Sequence, residues 1–425
     1  MKKILIVLEC INKNRSSEGI ASVNFLNSID LKSYEIHAVY YQYPQFDIDK
    51  PDWLNKGIKL HKISNDILDF SLSKNNKIKN FFSSYFGIVP LKEYRVLKFK
   101  RKISQLIKKE KFDLIFIRTI ATSGCSHRAV SELSPSFDIP ILSYFNDPIP
   151  YCLMPYPYSN GYTNNPNFDL KEKKIIKAVI KKSTAIASPS QKLNELFLDF
   201  SQDPEKKTFI FPHIFYEEVL SEEEDLSEFL AFNKINITHC GSLLSQRDPS
   251  GLLKAFELFL DENPEFLSKI SLNFFGPVTE NHFPVFKKFK YQDCLNVIDK
   301  RFSHSKSLAL MKKSDLFLLL ESSFQQSPFM PVKLAEVIGL NKIFLSLAPV
   351  DSETRRILGP NYPLQTEALN IDEILRILNE FFSNKLDLKD IQGQVNILEP
   401  YILPSTVNKE LDNVFEYLKD IKCTT

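Results

Sequence analysis

Glycine is scarce in this chain, 11 residues in 425, so each one that remains is a candidate for a turn that needs it. The six cysteines (Cys10, Cys125, Cys152, Cys240, Cys294, Cys423) are scattered, with no CxxC pair and no metal-ligand spacing. The seven histidines are spread as widely, and no metal site is expected. Neither charge dominates: the net charge is +2, which gives no global attraction to nucleic acid. No apolar run approaches the roughly 20 residues of a membrane-spanning helix. The opening MKKILIVLECI has a short apolar run, is broken by Glu9 and Cys10, and has no small-residue cleavage site, so it reads as a buried parallel strand and not as a secretory signal. Without an export signal, the thiols read as reduced and buried in a cytoplasmic protein.

Present in their place are Lys, Asn, Phe and Ile in plenty, with 43% hydrophobic and 25% charged residues, the balance of a soluble globular protein. A chain of 425 residues has room for two or three domains, each with its own core. Apolar runs of strand length alternate with helical patterns: KILIVLE, YEIHAVYY, FDLIFIRT, IPILSYFNDP, AIASPS and TFIFPHI. That alternation predicts a doubly wound parallel sheet. Residues 216–231 (YEEVLSEEEDLSEFLA) carry no Lys or Arg and read as an exposed linker or surface helix. A second alternation follows: INITHCGSL, KISLNFFGP, LNVIDKRF, DLFLLLES and KIFLSLAP. The fold expected is α/β, with two Rossmann-like domains facing a cleft and a terminal amphipathic helix closing back. The boundaries are 1–215, an acidic linker 216–232, a second domain 233–403, and the helix 404–425. Ligands of such sheets bind at the carboxyl ends of the strands, which places them in the cleft.

The stretch SPFMPVKLAEVIG (327–339) begins a helix with a lysine and puts an acid where the apolar face should start. Pro331 fits the first helical position, where its missing N–H costs nothing. The free N–H groups of that turn suit an anion, and Glu336 would point toward whatever that anion belongs to.

Taken in order, SSEGIAS, FDLIFIR, IPILSYFNDP, IASPSQKL, FPHI, HCGSLLSQRDPSGLLKAF, LNFFGP, SLALMKKSDLFLLL and SPFMPVKLAEVIG resemble glycosyltransferase family 4, the retaining enzymes of the GT-B fold. The resemblance covers most of the chain, is strongest over 235–350 and is weak over 45–110. It implies transfer of a hexose-type sugar, with retention, from a nucleoside diphosphate donor to a saccharide or lipid-linked acceptor, in surface-polysaccharide assembly. No cofactor or metal is implied beyond the nucleotide-sugar substrate. The leaving diphosphate needs cations, because negative charge grows on it as the glycosidic bond breaks. Carried over residue by residue, Arg247 takes nearly the place of the family's lysine, and Lys333 supplies a second cation. Ser242 stands where the family's arginine follows the first glycine, Gly241, a donor-side residue. Glu336 would accept hydrogen bonds from the donor ribose, since a carboxylate offers two acceptor oxygens to vicinal hydroxyls. The backbone N–H groups of Phe329, Met330 and Val332 would face phosphate. Phe329 itself stands where the family has a first acid.

In the first domain, Asn146 falls where family members often carry a histidine. Asp147 follows it, and would position the acceptor hydroxyl or stabilise positive charge at the anomeric carbon. An Asp–Pro pair is equally a turn or a helix cap. Gly19 would let the backbone approach the donor phosphate or the acceptor. His127 reads as a helix-surface residue or one reaching the cleft, His213 as hinge packing or a donor-side residue, and His239 as core. The basic, aromatic stretch 74–110 suits peripheral contact with the inner face of a membrane, most of all at the consecutive apolar residues 81–89; helix 92–110 reads rather as a solvated face with a buried apolar side. The loop 151–168, rich in Tyr, Pro and Asn, reads as an acceptor-side loop. Two rivals remain: a degenerate GT-B protein that binds a glycan or protein partner without catalysis, and a nucleotide-sugar epimerase on the same fold.

Overall fold

The structure is a computed structural model, describing residues 1–11, 17–42, 53–74, 76–118, 124–154, 165–216 and 225–424. The chain divides into two compact units, Met1–Ile214 with Pro404–Thr425, and Phe215–Leu403.

The first unit runs β1 (Lys2–Leu8), α1 (Ser17–Ser28), β2 (Tyr34–Tyr41), β3 (Lys59–Ile63), α2 (Ile67–Lys74), α3 (Asn76–Phe86), α4 (Pro90–Lys109), β4 (Leu114–Arg118), α5 (Cys125–Ser131), β5 (Ile141–Tyr144), α6 (Pro166–Lys182), β6 (Ala185–Ser188), α7 (Gln191–Ser201) and β7 (Thr208–Ile210). Its seven strands are parallel, in the order β3-β2-β1-β4-β5-β6-β7. The order reverses between β1 and β4, which opens a crevice at their carboxyl ends. Both faces of the sheet are covered, which explains the near-continuous apolar strands. In β1, Ile4, Ile6 and Leu8 pack into one core, while Leu5 and Val7 pack into the other.

The second unit runs β8 (Ile235–Cys240), α8 (Ser250–Glu262), β9 (Ile270–Phe275), α9 (Phe283–Lys288), β10 (Leu295–Ile298), α10 (His304–Lys313), β11 (Leu316–Leu320), β12 (Gln326–Ser327), α11 (Val332–Gly339), β13 (Phe344–Leu347), β14 (Asp351–Ser352), α12 (Glu353–Leu358), β15 (Gln365–Thr366), α13 (Ile371–Phe382) and α14 (Leu388–Leu398). The main sheet is parallel, ordered β10-β9-β8-β11-β13-β15, with its reversal between β8 and β11. The final helix, α15 (Pro404–Thr424), belongs to the first unit. Val407, Leu411, Val414, Phe415 and Leu418 fall on one helical face and join the core beside α1.

Two expectations change. Residues 225–231 of the acidic stretch are not simply exposed: Leu226 and Leu230 are buried in the core of the second unit. Residues 217–224 lie outside the described residues. Pro331 caps α11 in extended conformation (φ −64°, ψ 134°) and is not its first helical residue, which is Val332.

Candidate active site

In the second unit, Gly241 and Gly276 follow β8 and β9 in left-handed conformations, with φ of 149° and 141°. A Cβ on Gly276 would lie 2.2 Å from the Gly241 carbonyl oxygen, so the two loops meet only because residue 276 lacks one; Gly241 is demanded by its positive φ instead. A Cβ on Gly241 would lie 3.9 Å from Lys333 Cε, so the turn after β8 and the start of α11 are neighbours. The Gly241 turn and the Lys333 side chain are therefore adjacent.

Lys333 Nζ lies 2.6 Å from Glu336 Oε2, and His304 Nε2 lies 3.0 Å from Glu336 Oε1. Glu336 is buried. Burial alone would raise its pKa, but the Lys333 ammonium and the His304 hydrogen bond draw it down to about 2. Both oxygens are engaged, yet each keeps a further lone pair for a hydroxyl donor. Arg247, in the loop before α8, donates from Nη1 to the Ser242 carbonyl at 2.8 Å. Arg247 and Lys333 both lower the proton affinity of His239, which burial lowers first, to about 4. His239 Nδ1 lies 3.1 Å from the Leu318 carbonyl, tying β8 to β11. It is core, as its strand context implied.

Of the loop residues, Met330 is buried in the unit's core, Phe329 is half-buried, and Val332 opens α11. The second unit thus gathers Gly241, Arg247, Lys333 and Glu336 at the reversal of its strand order. The sequence reading missed His304 and Glu321. His304 carried no distinctive spacing. Glu321 carried one: an acid directly after an all-apolar parallel strand.

In the first unit, Asn146 and Asp147 follow β5. Asn146 Nδ2 donates to Asp147 Oδ2 at 3.1 Å, and Asn146 Oδ1 is buried without a hydrogen-bond partner. Burial pushes the Asp147 carboxyl above its ordinary value, opposed by hydrogen bonds with Glu18 and Asn146. Two carboxyls in hydrogen-bond contact hold a proton between them. Nearby, the buried Arg118 guanidinium sits 4.1 Å from the Tyr144 ring centre and 4.5 Å from that of Phe25. Glu18 adds a favourable field to Arg118. Glu9, closing β1, accepts from Ser126 N and Oγ, both at 3.2 Å. Gly19 is not in a loop: it is buried in the first turn of α1, a turn that begins at Ser17. His127 is neither on a surface nor in an opening. It is fully buried, stacked 4.5 Å from Phe145, and held neutral with a pKa of about 3 by that burial. His213 is buried. Residues 155–164 of the expected acceptor-side loop lie outside the described residues.

Among the described residues, Glu35, His37 and Glu110 stand close enough to hold a metal. Lys3 Nζ lies 2.7 Å from Glu110 and 3.2 Å from Glu35, and Lys59 Nζ lies 2.6 Å from Glu35. Ammonium groups already answer those acids. The cluster sits at the amino ends of the strands, opposite to the crevice. No helix among the described residues is long and apolar enough to cross a membrane. On α2 and α3, however, Ile67, Phe70, Phe81, Phe82, Tyr85 and Phe86 are exposed, Tyr85 by 73%. Helix α4 differs: Val96, Phe99, Ile103 and Leu106 are buried, so its apolar side serves the core.

No protein-family profile and no curated protein matches the chain. Solved structures do. The N-terminal domain of Candida albicans trehalose-6-phosphate phosphatase superposes with a TM-score of 0.66 at 13% identity, over 98% of this chain and 97% of that one. The fold is GT-B. An α,α-trehalose-phosphate synthase (UDP-forming) from Burkholderia vietnamiensis gives 0.64 at 10% identity, over 99% and 100% of the two chains. The structure described as trehalose-6-phosphate from E. coli bound with UDP-2-fluoro glucose gives 0.63 at 12%, over 98% and 99%. At such identities the likeness is one of fold, and it carries the GT-B architecture without singling out family 4.

Proposed function

We propose that this GT-B chain is a glycosyltransferase that moves a sugar from a nucleoside diphosphate to a saccharide or lipid-linked acceptor. The observation that carries the reading is the meeting of the Gly241 turn with Lys333 and Glu336 at the strand reversal of the second unit. An Arg and a Lys there would neutralise a leaving diphosphate without a metal, while Glu336 accepts from ribose. Structures of the same fold with UDP-2-fluoro glucose and with glucose-6-phosphate support this class of donor and of acceptor. Retention, the family 4 type and a role in surface polysaccharide belong to the same proposal and rest on the motif resemblance. Asp147 and Asn146 are its acceptor-side groups.

The test is a thermal-shift titration with UDP, GDP and ADP, in wild type and in Glu336→Ala. A nucleotide at 100 times its Kd adds about 2.7 kcal/mol to the folded state. One nucleotide is expected to stabilise the wild type, with the shift lost in the variant. No shift with any of them overturns the reading and favours the non-catalytic rival.

A second element of the proposal concerns partners. The exposed aromatic face of α2 and α3 fits an anionic bilayer surface. Its lysine Lys74 lies over the Phe70 ring, while the acid of that segment, Asp69, is buried against Tyr41 and Lys98. The face offers apolar rings and the charge of Lys74, while Asp66, exposed at the start of α2, is paired with Lys98 and Tyr94.

A further inference from the structure

Glu321 follows β11 by one residue, as Gly241 follows β8, so it stands at the same strand reversal as the donor turn. Its backbone N–H donates to the Leu347 carbonyl at 2.9 Å, which fixes it between β11 and β13. Its side chain is 4% exposed. Thr354 Oγ1 donates to Oε1, while Oε2 is buried with no hydrogen-bond partner. Ser322 Oγ beside it, and Gln246 Oε1 in the loop that carries Arg247, are likewise buried without partners. That loop is pinned here, since Ser323 N donates to the Gln246 carbonyl at 3.0 Å.

A buried carboxylate with one oxygen unanswered and no cation in contact is costly, and such a group takes up a proton instead. Burial, opposed by Thr354, Ser327 and the field of Arg247 and reinforced by Glu353, raises the Glu321 pKa to about 7. The other charge facing it from α12 is Arg355. A protonated Glu321 is an O–H donor, with only the Ser327 and Ser322 hydroxyls named beside it in the protein. An ionised one would repel a diphosphate bound beside Arg247.

We infer that Glu321 binds the nucleotide as the neutral acid, donating a hydrogen bond to an oxygen of the diphosphate. The assignment rests on the donor-site reading above. It makes nucleotide binding consume a proton above neutrality. The nucleotide's own phosphate loses its last proton near pH ~6 and is silent above that range. His239, held near 4, is silent too.

The experiment is isothermal titration calorimetry of the full chain with the nucleoside diphosphate that stabilises it, from pH 6.5 to 9. Each point is taken in two buffers of different ionisation heat. The expected result is a Kd that rises by about tenfold per pH unit once pH exceeds the Glu321 pKa, with about one proton taken up. In Glu321→Gln, which keeps a donor without a titratable proton, the slope should flatten, with affinity at pH 6.5 within about threefold of wild type. Tight binding with no pH slope and no proton uptake overturns this inference and leaves the donor site standing. So does a Glu321→Gln slope equal to that of wild type. Failure of the wild type to bind any nucleoside diphosphate overturns both readings together. Should the variant fail to fold, the wild-type proton count decides alone.

Discussion

Lys333 and Glu336 share one face of α11, one turn apart, and their charges meet at 2.6 Å with the acid buried and the base only partly so. His304 completes the set from α10. The acid is thus held ready by two donors, and its removal strands both.

Glu336→Ala should cost about 2–4 kcal/mol of stability, toward the lower end of what breaking a buried pair costs because Lys333 retains water. Glu336→Gln should cost less, since its amide oxygen still accepts a hydrogen bond. Chemical denaturation of the two variants beside wild type reads this directly. Equal loss in both would mean that charge, and not hydrogen bonding, holds the site.

The same carboxyl sets an acid limb. Its folded pKa, about 2, lies below the ordinary value of 4.5, so it stabilises the fold above pH 4.5 and the contribution fades as pH falls toward 2. The amount is up to about 3 kcal/mol at 1.4 kcal/mol per unit. Glu336→Gln should therefore show a shallower acid transition than wild type.

Glu321 works the other way. Its pKa is raised from 4.5 to about 7, so the folded state holds a proton the unfolded chain has released. Stability falls as pH rises from 4.5 to 7 and is level beyond, again by up to about 3 kcal/mol. Glu321→Gln should lose that slope and be more stable than wild type at pH 8. Melting curves across pH 5–8 that stay parallel for the two proteins would contradict it.

Gly276→Ala and Gly241→Ala should differ in cost. The first places a methyl 2.2 Å from the Gly241 carbonyl, whereas the second has its nearest neighbour, His239 Nε2, at 3.8 Å. We expect about 1–2 kcal/mol of backbone strain at Gly241, and at least 2 kcal/mol more at Gly276 from the clash. Urea midpoints of the two variants provide the comparison.

Asp147→Asn should preserve the fold, because the amide can still hydrogen-bond Glu18 and relieves the crowding of two carboxyls. If Asp147 handles the acceptor, turnover should fall by about 100-fold or more with nucleotide binding unchanged. Turnover at the wild-type level would return the Asp–Pro pair to a purely structural role.

Replacing Phe81, Phe82, Tyr85 and Phe86 together with Ser should leave the melting temperature nearly unchanged, since these rings are exposed. Co-flotation with vesicles containing anionic phosphatidylglycerol should be lost. Wild-type protein that does not float with such vesicles rules out the bilayer as occupant of this face.

Much of the architecture was legible in the chain. The run YEIHAVYY is β2 to the residue, and the apolar runs of both halves became parallel strands, because strands covered on both faces must be apolar throughout. Short strands such as β3 escaped, since KLHKI at the sheet edge buries only Ile63 and offers too few apolar residues to mark a strand. The acidic stretch misled because charge count hid the spacing of Leu226 and Leu230.

The sequence by itself determined the order of strands and helices and the residue types near each strand end, because period and composition are local. It could also place Lys333 and Glu336 one helical turn apart. Only the tertiary structure decided that His304, 32 residues away, grips the same carboxylate. It alone decided that Gly241 and Gly276 must both lack a side chain, and that Glu321 has one oxygen answered and one not. Such relations depend on which chain segments the sheet order brings together, and burial there, not residue type, sets whether an acid is charged.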